Sequence, residues 1–265
     1  MKIFAVGMNY VLHNKEMFGT LYKPESPVIF TKADSSLLKD GKPFFVPDDM
    51  GRIDYETEVV VRICRLGKAI PERFAHRYYD AVTVGIDFTA RDMQEKLRKE
   101  GHPWDVCKGF DGAAVIGRWV AKESIPDMNA INFSLDINGR TVQQGCTSNM
   151  LFTIDELIAY ISRFFTLKTG DILFTGTPAG VGPVHINDHL TGYLEGSPPR
   201  LDQSQGSCKP SAEPSLLGLC RGAAETRQSQ GSCKPSAEPS LLGLCRGAAE
   251  TRQSQGEKVL EFNCK

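Results

Sequence analysis

The sequence lacks any long hydrophobic run. No stretch approaches the roughly 18 apolar residues of a membrane span, which excludes an integral helical membrane protein. Excess charge of either sign is also missing. The 31 Lys+Arg against 32 Asp+Glu leave a formal net charge of −1, too little for a field that draws in nucleic acid or anionic lipid. There is no CxxC pair among the eight cysteines, so a zinc ribbon and a thioredoxin-type redox motif are excluded. The opening residues, Met1–Tyr10, have too short an apolar stretch for a signal peptide, and no small-residue cleavage site follows. They read as a first strand, and the cytoplasm is the expected compartment. What is present is the composition of a globular protein, 41% hydrophobic and 24% charged over 265 residues, enough for one large domain or two small ones.

An internal repeat changes that count. Residues 203–227 recur letter for letter as 228–252, and a third copy begins at Gln253. Solenoid repeats keep a hydrophobic skeleton and vary elsewhere, and a stacked array needs at least three units. Total identity over two copies points instead to recent duplication. Each unit is rich in Ser, Gly, Gln, Pro and Ala with one short apolar patch, Leu216–Leu219, so 197–256 reads as a disordered insertion. It carries Cys208, Cys220, Cys233 and Cys245, whose spacings fit no common metal pattern. The flanks, Leu190–Gly196 and Glu257–Cys264, join into a hairpin when the insertion is removed, and a long insert at a hairpin tip is tolerated because loop-closure entropy grows only logarithmically. The expected catalytic domain is therefore 1–196 plus 257–265. Its four cysteines, Cys64, Cys107, Cys146 and Cys264, are expected as buried reduced thiols.

Strand-like runs dominate that domain, at Lys2–Val6, Pro27–Thr31, Thr57–Ile63, Ala81–Phe88, Phe133–Ile137 and Asp171–Thr175. Asn138-Gly139 between two such runs is a two-residue hairpin signal. Helical patterns appear at Pro71–Tyr79, Ala90–Glu100 and Thr153–Phe165, the last opening on the capping box Thr153/Glu156. Strands outnumber helices and do not alternate regularly with them, which predicts a β-rich α+β fold with few helices.

The chemistry concentrates in carboxylates. Glu56 and Glu58 lead into the apolar run Val59–Val61, so on a strand they share a face. Asp87 ends another apolar run, Val82–Ile86. If the three converge inside the protein, they form a hard oxygen site suited to Mg²⁺ or Mn²⁺. The alternative is an edge strand with Glu56 and Glu58 in solvent. Arg91 and Gln94 lie three apart at a helix start, able to face one site. Lys108, flanked by apolar residues, is either a buried cation aimed at the acidic cluster or a surface lysine with a buried stem. Thr175–Gly182 is a glycine-rich turn without the Lys of a P-loop; it can offer N–H groups and the Thr177 hydroxyl to a carboxylate. His13 and Glu16 become neighbours if their stretch is helical, which makes either a solvated surface pair or an imidazole oriented for general base work.

These blocks together, Gly7–Tyr10 with His13 and Glu16, Glu56–Glu58, Gly85–Gln94, Lys108–Phe110 and Thr175–Gly182, resemble the fumarylacetoacetate hydrolase family, above all its small single-domain members. The resemblance implies a mixed β-roll, a homodimer, and Mg²⁺ or Mn²⁺ held by Glu56, Glu58 and Asp87. It also implies that His13 and Glu16 sit on a short lid helix over a small keto-acid substrate. Two segments depart from the family pattern, Lys32–Ser35 and Asp111–Val115.

The expected reaction is hydrolytic cleavage of a C–C bond in a 3-acylpyruvate, with the metal as Lewis acid and template. His13, oriented by Glu16, activates the attacking water. Arg91 and Gln94 position the distal end, Lys108 takes up charge on the departing pyruvate enolate, and Thr177 with the loop at Gly180 holds the carboxylate. Oxaloacetate decarboxylation and isomerisation of a 2-hydroxydienoate are rival reactions at the same residues. A non-enzymatic alternative is an inactive metal-binding remnant disrupted by the insertion.

Overall fold

A computed structural model describes residues 1–38, 42–195 and 256–265. Runs of Val, Ile and Phe give strands that assemble into three sheets. The largest has eight strands, in the order Val28–Lys32, Ile3–Gly7, Ile172–Phe174, Thr57–Ile63, Tyr79–Asp87, Ala114–Ile116 and Leu37–Leu38, with Val120–Ala121 also paired to Tyr79–Asp87. Ile3–Gly7 runs parallel to Ile172–Phe174, and Leu37–Leu38 parallel to Ala114–Ile116; the other pairs are antiparallel. A four-stranded antiparallel sheet runs Arg140–Cys146, Asn132–Ile137, His189–Leu194, Glu257–Asn263. Gly182–Pro183, Ile53–Tyr55 and Thr89–Ala90 make the third.

Thr57–Ile63 and Tyr79–Asp87 are buried on almost every residue, which explains why they read as continuous apolar runs rather than alternating ones. The four-stranded sheet closes over them at Gly192. A Cβ there would come within 2.9 Å of Leu260 and 3.0 Å of Val84, so glycine is what lets the layers meet. Asn138 and Gly139 turn the hairpin with φ of 53° and 78°, the two positive angles of a type I′ turn.

Five α-helices lie among the described residues: α1 (Val11–Phe18), α2 (Glu72–Ala75), α3 (Arg91–Glu100), α4 (Asp105–Lys108) and α5 (Ile154–Phe164). The α5 capping box forms as predicted, with the Glu156 N–H donating to Thr153 Oγ1 and the Thr153 N–H to Glu156 Oε2. The helix predicted over Pro71–Tyr79 is cut to the single turn of α2, because Tyr79 pairs with Ile63 and starts a strand. None of these helices is long and apolar enough to cross a membrane.

The fold is α+β and β-rich, as predicted. The two segments flanking the repeats pair antiparallel, His189 opposite Asn263 through Leu194 opposite Glu257. The predicted insertion at 197–256 lies outside the described residues apart from Gly256. Among the described cysteines, Cys107 and Cys264 are buried thiols as expected, whereas Cys64 and Cys146 are half-buried; all four are free.

Candidate active site

Glu56 occupies the one-residue break between Ile53–Tyr55 and Thr57–Ile63, where the chain passes from the three-stranded to the eight-stranded sheet. The sequence expectation placed Glu56 and Glu58 on one continuous strand. At the start of the second strand Thr57 is paired with Ile86, and its N–H donates to the Gln143 side chain. Glu58 follows on the second strand, and Asp87 ends its antiparallel neighbour, its N–H donating to the Glu56 carbonyl. All three carboxylates are buried, and one oxygen from each lies within 4.8 Å of the others.

Their partners differ. Glu56 accepts from Arg91 Nη2 at 2.6 Å and Lys108 Nζ at 2.7 Å. Asp87 pairs with Lys108 at 2.9 Å and Lys32 at 2.6 Å. Glu58 accepts the Gly176 N–H at 2.7 Å and has no Lys or Arg ion pair among the described residues. Burial alone would raise the Glu56 pKa, but Lys108 and Arg91 outweigh it and hold the carboxyl well below its ordinary value. Burial, reinforced by the Asp87 and Glu56 charges, pushes Glu58 well above its ordinary value. A buried all-oxygen cluster with one carboxylate short of positive charge is the donor set of a hard divalent cation, and these residues fit one.

The cations come from short helices packed at the strand ends. Arg91 opens α3, buried; its Nε donates to Asp54, Nη1 to Gln94 and Nη2 to Glu56. Lys108 ends α4 with Nζ shared among Glu56, Asp87 and Thr89 Oγ1. It is the buried cation aimed at the acidic cluster, not a surface lysine. Burial tends to discharge Lys108, yet Asp87 and Glu56 hold its pKa above the ordinary value. Lys32, fully buried, goes the other way: burial lowers its pKa despite Asp87.

The stretch carrying His13 and Glu16 is helical. Asn9 ties its entry to the Phe152 and Thr175 carbonyls, and the buried Asn14 donates to the Met8 and Tyr22 carbonyls across the helix. Gly19 ends α1 in the left-handed region, its N–H donating to the Lys15 carbonyl. His13 is buried and lines the pocket; its Nδ1 is 3.4 Å from Glu16 Oε2. Burial would raise the Glu16 pKa, but His13 and the Gly180 and Val181 N–H groups hold it below the ordinary value.

A pocket of about 520 Å³, including its mouth, lies over the carboxylates and is lined by Glu56, Glu58, Asp87, Arg91, Gln94, Lys108, His13 and Thr177. Gly180, predicted to hold substrate, is not in that lining; its N–H donates to Glu16 at 3.1 Å, so the glycine-rich turn anchors α1. Thr177 Oγ1 donates to the Thr57 carbonyl and accepts from Gln143 Nε2. Gly176 has φ +104°, and a Cβ there would come 2.8 Å from that of Asn9.

Three contributors were missed in the sequence. Asp54 holds Arg91, and its signal was the period-two run Asp54, Glu56, Glu58. Lys32 sits in a segment that departs from the family pattern. Gln143 reaches in from the Arg140–Cys146 strand, with nothing local to mark it.

The family described as fumarylacetoacetate (FAA) hydrolase C-terminal matches residues 2–208. The chain is 39% identical over 194 residues to the mitochondrial oxaloacetate tautomerase FAHD1 of Mus musculus, covering 73% of this chain and 87% of that protein. It is 39% identical over 196 residues to the oxaloacetate tautomerase YcgM of Escherichia coli, covering 74% and 89%. The crystal structure of fumarylpyruvate hydrolase from Pseudomonas aeruginosa, in complex with Mn²⁺ and pyruvate, superposes with a TM-score of 0.69 at 31% identity, covering 73% and 84%. These named relatives are enzymes. Their sequences and folds, with the residues assembled here, lead to one assignment: the chain belongs to the fumarylacetoacetate hydrolase family.

Proposed function

We propose that this protein is a metal-dependent enzyme acting on a short 2-oxo acid, and that its primary reaction is proton transfer at C3, the keto–enol tautomerisation of an oxaloacetate-type substrate. The observation that carries the reading is the pairing of two features in one pocket: a buried Glu56, Glu58, Asp87 cluster in which Glu58 has no Lys or Arg partner among the described residues, and His13 with Glu16 beside it. Glu56, Glu58 and Asp87 would hold Mg²⁺ or Mn²⁺, which supplies Lewis acidity toward a 2-oxo acid's carboxylate and carbonyl oxygens.

The chain's own groups do the rest. His13 takes the C3 proton through an imidazole nitrogen and delivers it to the 2-oxygen: the C3–H bond breaks, its electron pair becomes the C2=C3 bond, the C2=O π pair moves to oxygen where the O–H bond forms, and the reverse regenerates the ketone. Glu16, anchored by the Gly180 N–H, orients the imidazole. Lys108 directs its Nζ to Glu56, Asp87 and Thr89, so it positions the carboxylates and neutralises them. Arg91 does the same for Glu56 and turns the Gln94 side chain by donating to its oxygen, leaving the Gln94 amide N–H groups for substrate.

The second reading is C–C hydrolysis of a 3-acylpyruvate, favoured by the His13–Glu16 pair, which suits activation of water, and by the hydrolase among the structural relatives. Both readings share the binding mode and separate on substrate. The test follows ketonisation of enol-oxaloacetate and loss of acetylpyruvate by ultraviolet absorbance, with Mg²⁺, Mn²⁺ or EDTA. Metal-dependent ketonisation that falls about 100-fold or more in His13→Ala is expected. Acetylpyruvate cleavage without ketonisation would move the hydrolase reading ahead. EDTA-insensitive turnover would contradict both.

A further inference from the structure

Arg98 is the charged side chain in the pocket that the proposed chemistry leaves unused. It lies on α3, and with Arg91 and Gln94 it completes an i, i+3, i+7 row along one helix face, all three lining the pocket. Seven residues of helix place its Cα about 10.5 Å along the axis from that of Arg91. Helix side chains lean toward the N-terminus, so the guanidinium is carried back over the cavity.

Its surroundings differ from those of the other cations there. Arg91 and Lys108 are held by carboxylates, whereas Arg98 has no ion pair and no side-chain hydrogen bond among the described residues. Among the described residues its guanidinium meets the ring of Phe18, 5.1 Å from guanidinium to centroid. A ring face orients a guanidinium without neutralising it or occupying its in-plane N–H fork. Phe18 is the last residue of α1, the helix that carries His13, so Arg98 bridges the two helices at the pocket wall.

Charge points the same way. Glu56 and Asp87 are already matched by Arg91, Lys108 and Lys32, and a divalent ion would answer Glu58, so the Arg98 guanidinium adds positive charge for a substrate that carries two negative charges. One is the carboxylate beside the 2-oxo group. We infer that Arg98 recognises the other: it is the specificity-determining residue that selects 2-oxo acids bearing a second, distal carboxylate over those ending in a neutral acyl group. This rests on the 2-oxo acid reading of the pocket above.

The test uses the full chain with Mg²⁺ and compares wild type with Arg98→Met, which keeps the stem and removes the fork, and Arg98→Lys. Turnover of oxaloacetate and acetylpyruvate is measured beside calorimetric binding of two unreactive probes, malate and lactate, which differ in the distal carboxylate. In Arg98→Met, KM for oxaloacetate and Kd for malate should rise about tenfold, the size of one charge-assisted hydrogen bond. Acetylpyruvate and lactate should stay within about twofold on the same arithmetic, and Arg98→Lys should fall between. Equal losses on both members of either pair, or no change on either, would overturn the assignment, as would binding of neither probe. Arg98-dependent malate binding without turnover of any oxo acid would support the assignment and sink the reaction proposed above.

Discussion

Replacing Lys108 by Met puts the electrostatics of the cluster to a quantitative test. Nζ is 2.7 Å from Glu56, 2.9 Å from Asp87 and 2.6 Å from Thr89 Oγ1, and all three side chains are buried. Removing one partner of a buried ion pair leaves a desolvated charge behind and costs about 3–5 kcal/mol. Arg91 still faces one Glu56 oxygen and Lys32 one Asp87 oxygen, so the loss belongs near the lower end of that range. Met fills the volume of the stem, which keeps a cavity term small. For a domain of this size each kcal/mol moves Tm by about 2–4 °C, so a metal-free Lys108→Met protein should melt about 6–12 °C below wild type. Adding Mg²⁺ should recover more of that loss in the variant than it adds to the wild type, because a cation at the carboxylates relieves the same repulsion. Differential scanning fluorimetry with and without EDTA reads both numbers. A drop below about 2 °C, less than 1 kcal/mol on this scale, would refute the argument that Lys108 neutralises the cluster.

Glu58 offers a prediction of opposite sign. Its folded pKa lies above the ordinary 4.5, so the folded state holds a proton that the unfolded chain has released. That contribution to stability is complete below that ordinary value and is lost as pH rises through the elevated folded value. Glu58→Gln keeps an acceptor for the Gly176 N–H; in EDTA it should melt higher than wild type at neutral pH and show a flatter fall of Tm with pH, while losing turnover. Glu56, held low by Lys108 and Arg91, stabilises above the ordinary carboxyl range and loses that contribution as pH falls, so Glu56→Gln should destabilise at pH 7. Deleting 197–256 joins two strands already paired from His189–Asn263 to Leu194–Glu257, and the deletion protein should match the full chain in turnover; a loss beyond about threefold, near 0.7 kcal/mol, would make the repeat more than a passenger.

What could be read in the sequence was whatever had a local period or a local turn. Asn138-Gly139 specifies its own hairpin through two positive φ angles, and Thr153 with Glu156 caps α5 by contacts three residues apart. The carboxylates were visible for the same reason, sitting at the ends of long buried strands. Glu56 shows the limit: it sits where the chain passes from one sheet to another, and the Thr57 N–H beside it donates to Gln143, 86 residues away, so no window of sequence contains both. Lys108 read equally as a surface lysine until α4 placed it against Asp87. Gly180 read as a substrate ligand because its N–H was free on paper, and Glu16 takes that N–H across 164 residues.

The central claim is that Glu56, Glu58 and Asp87 hold a divalent ion. Titrating Mn²⁺ into EDTA-stripped protein by calorimetry, beside Glu58→Gln, tests it directly. The account predicts one site per chain in the wild type and at least tenfold weaker binding in the variant, a loss of about 1.4 kcal/mol or more. No heat in the wild type, or an isotherm that Glu58→Gln leaves unchanged, would contradict it.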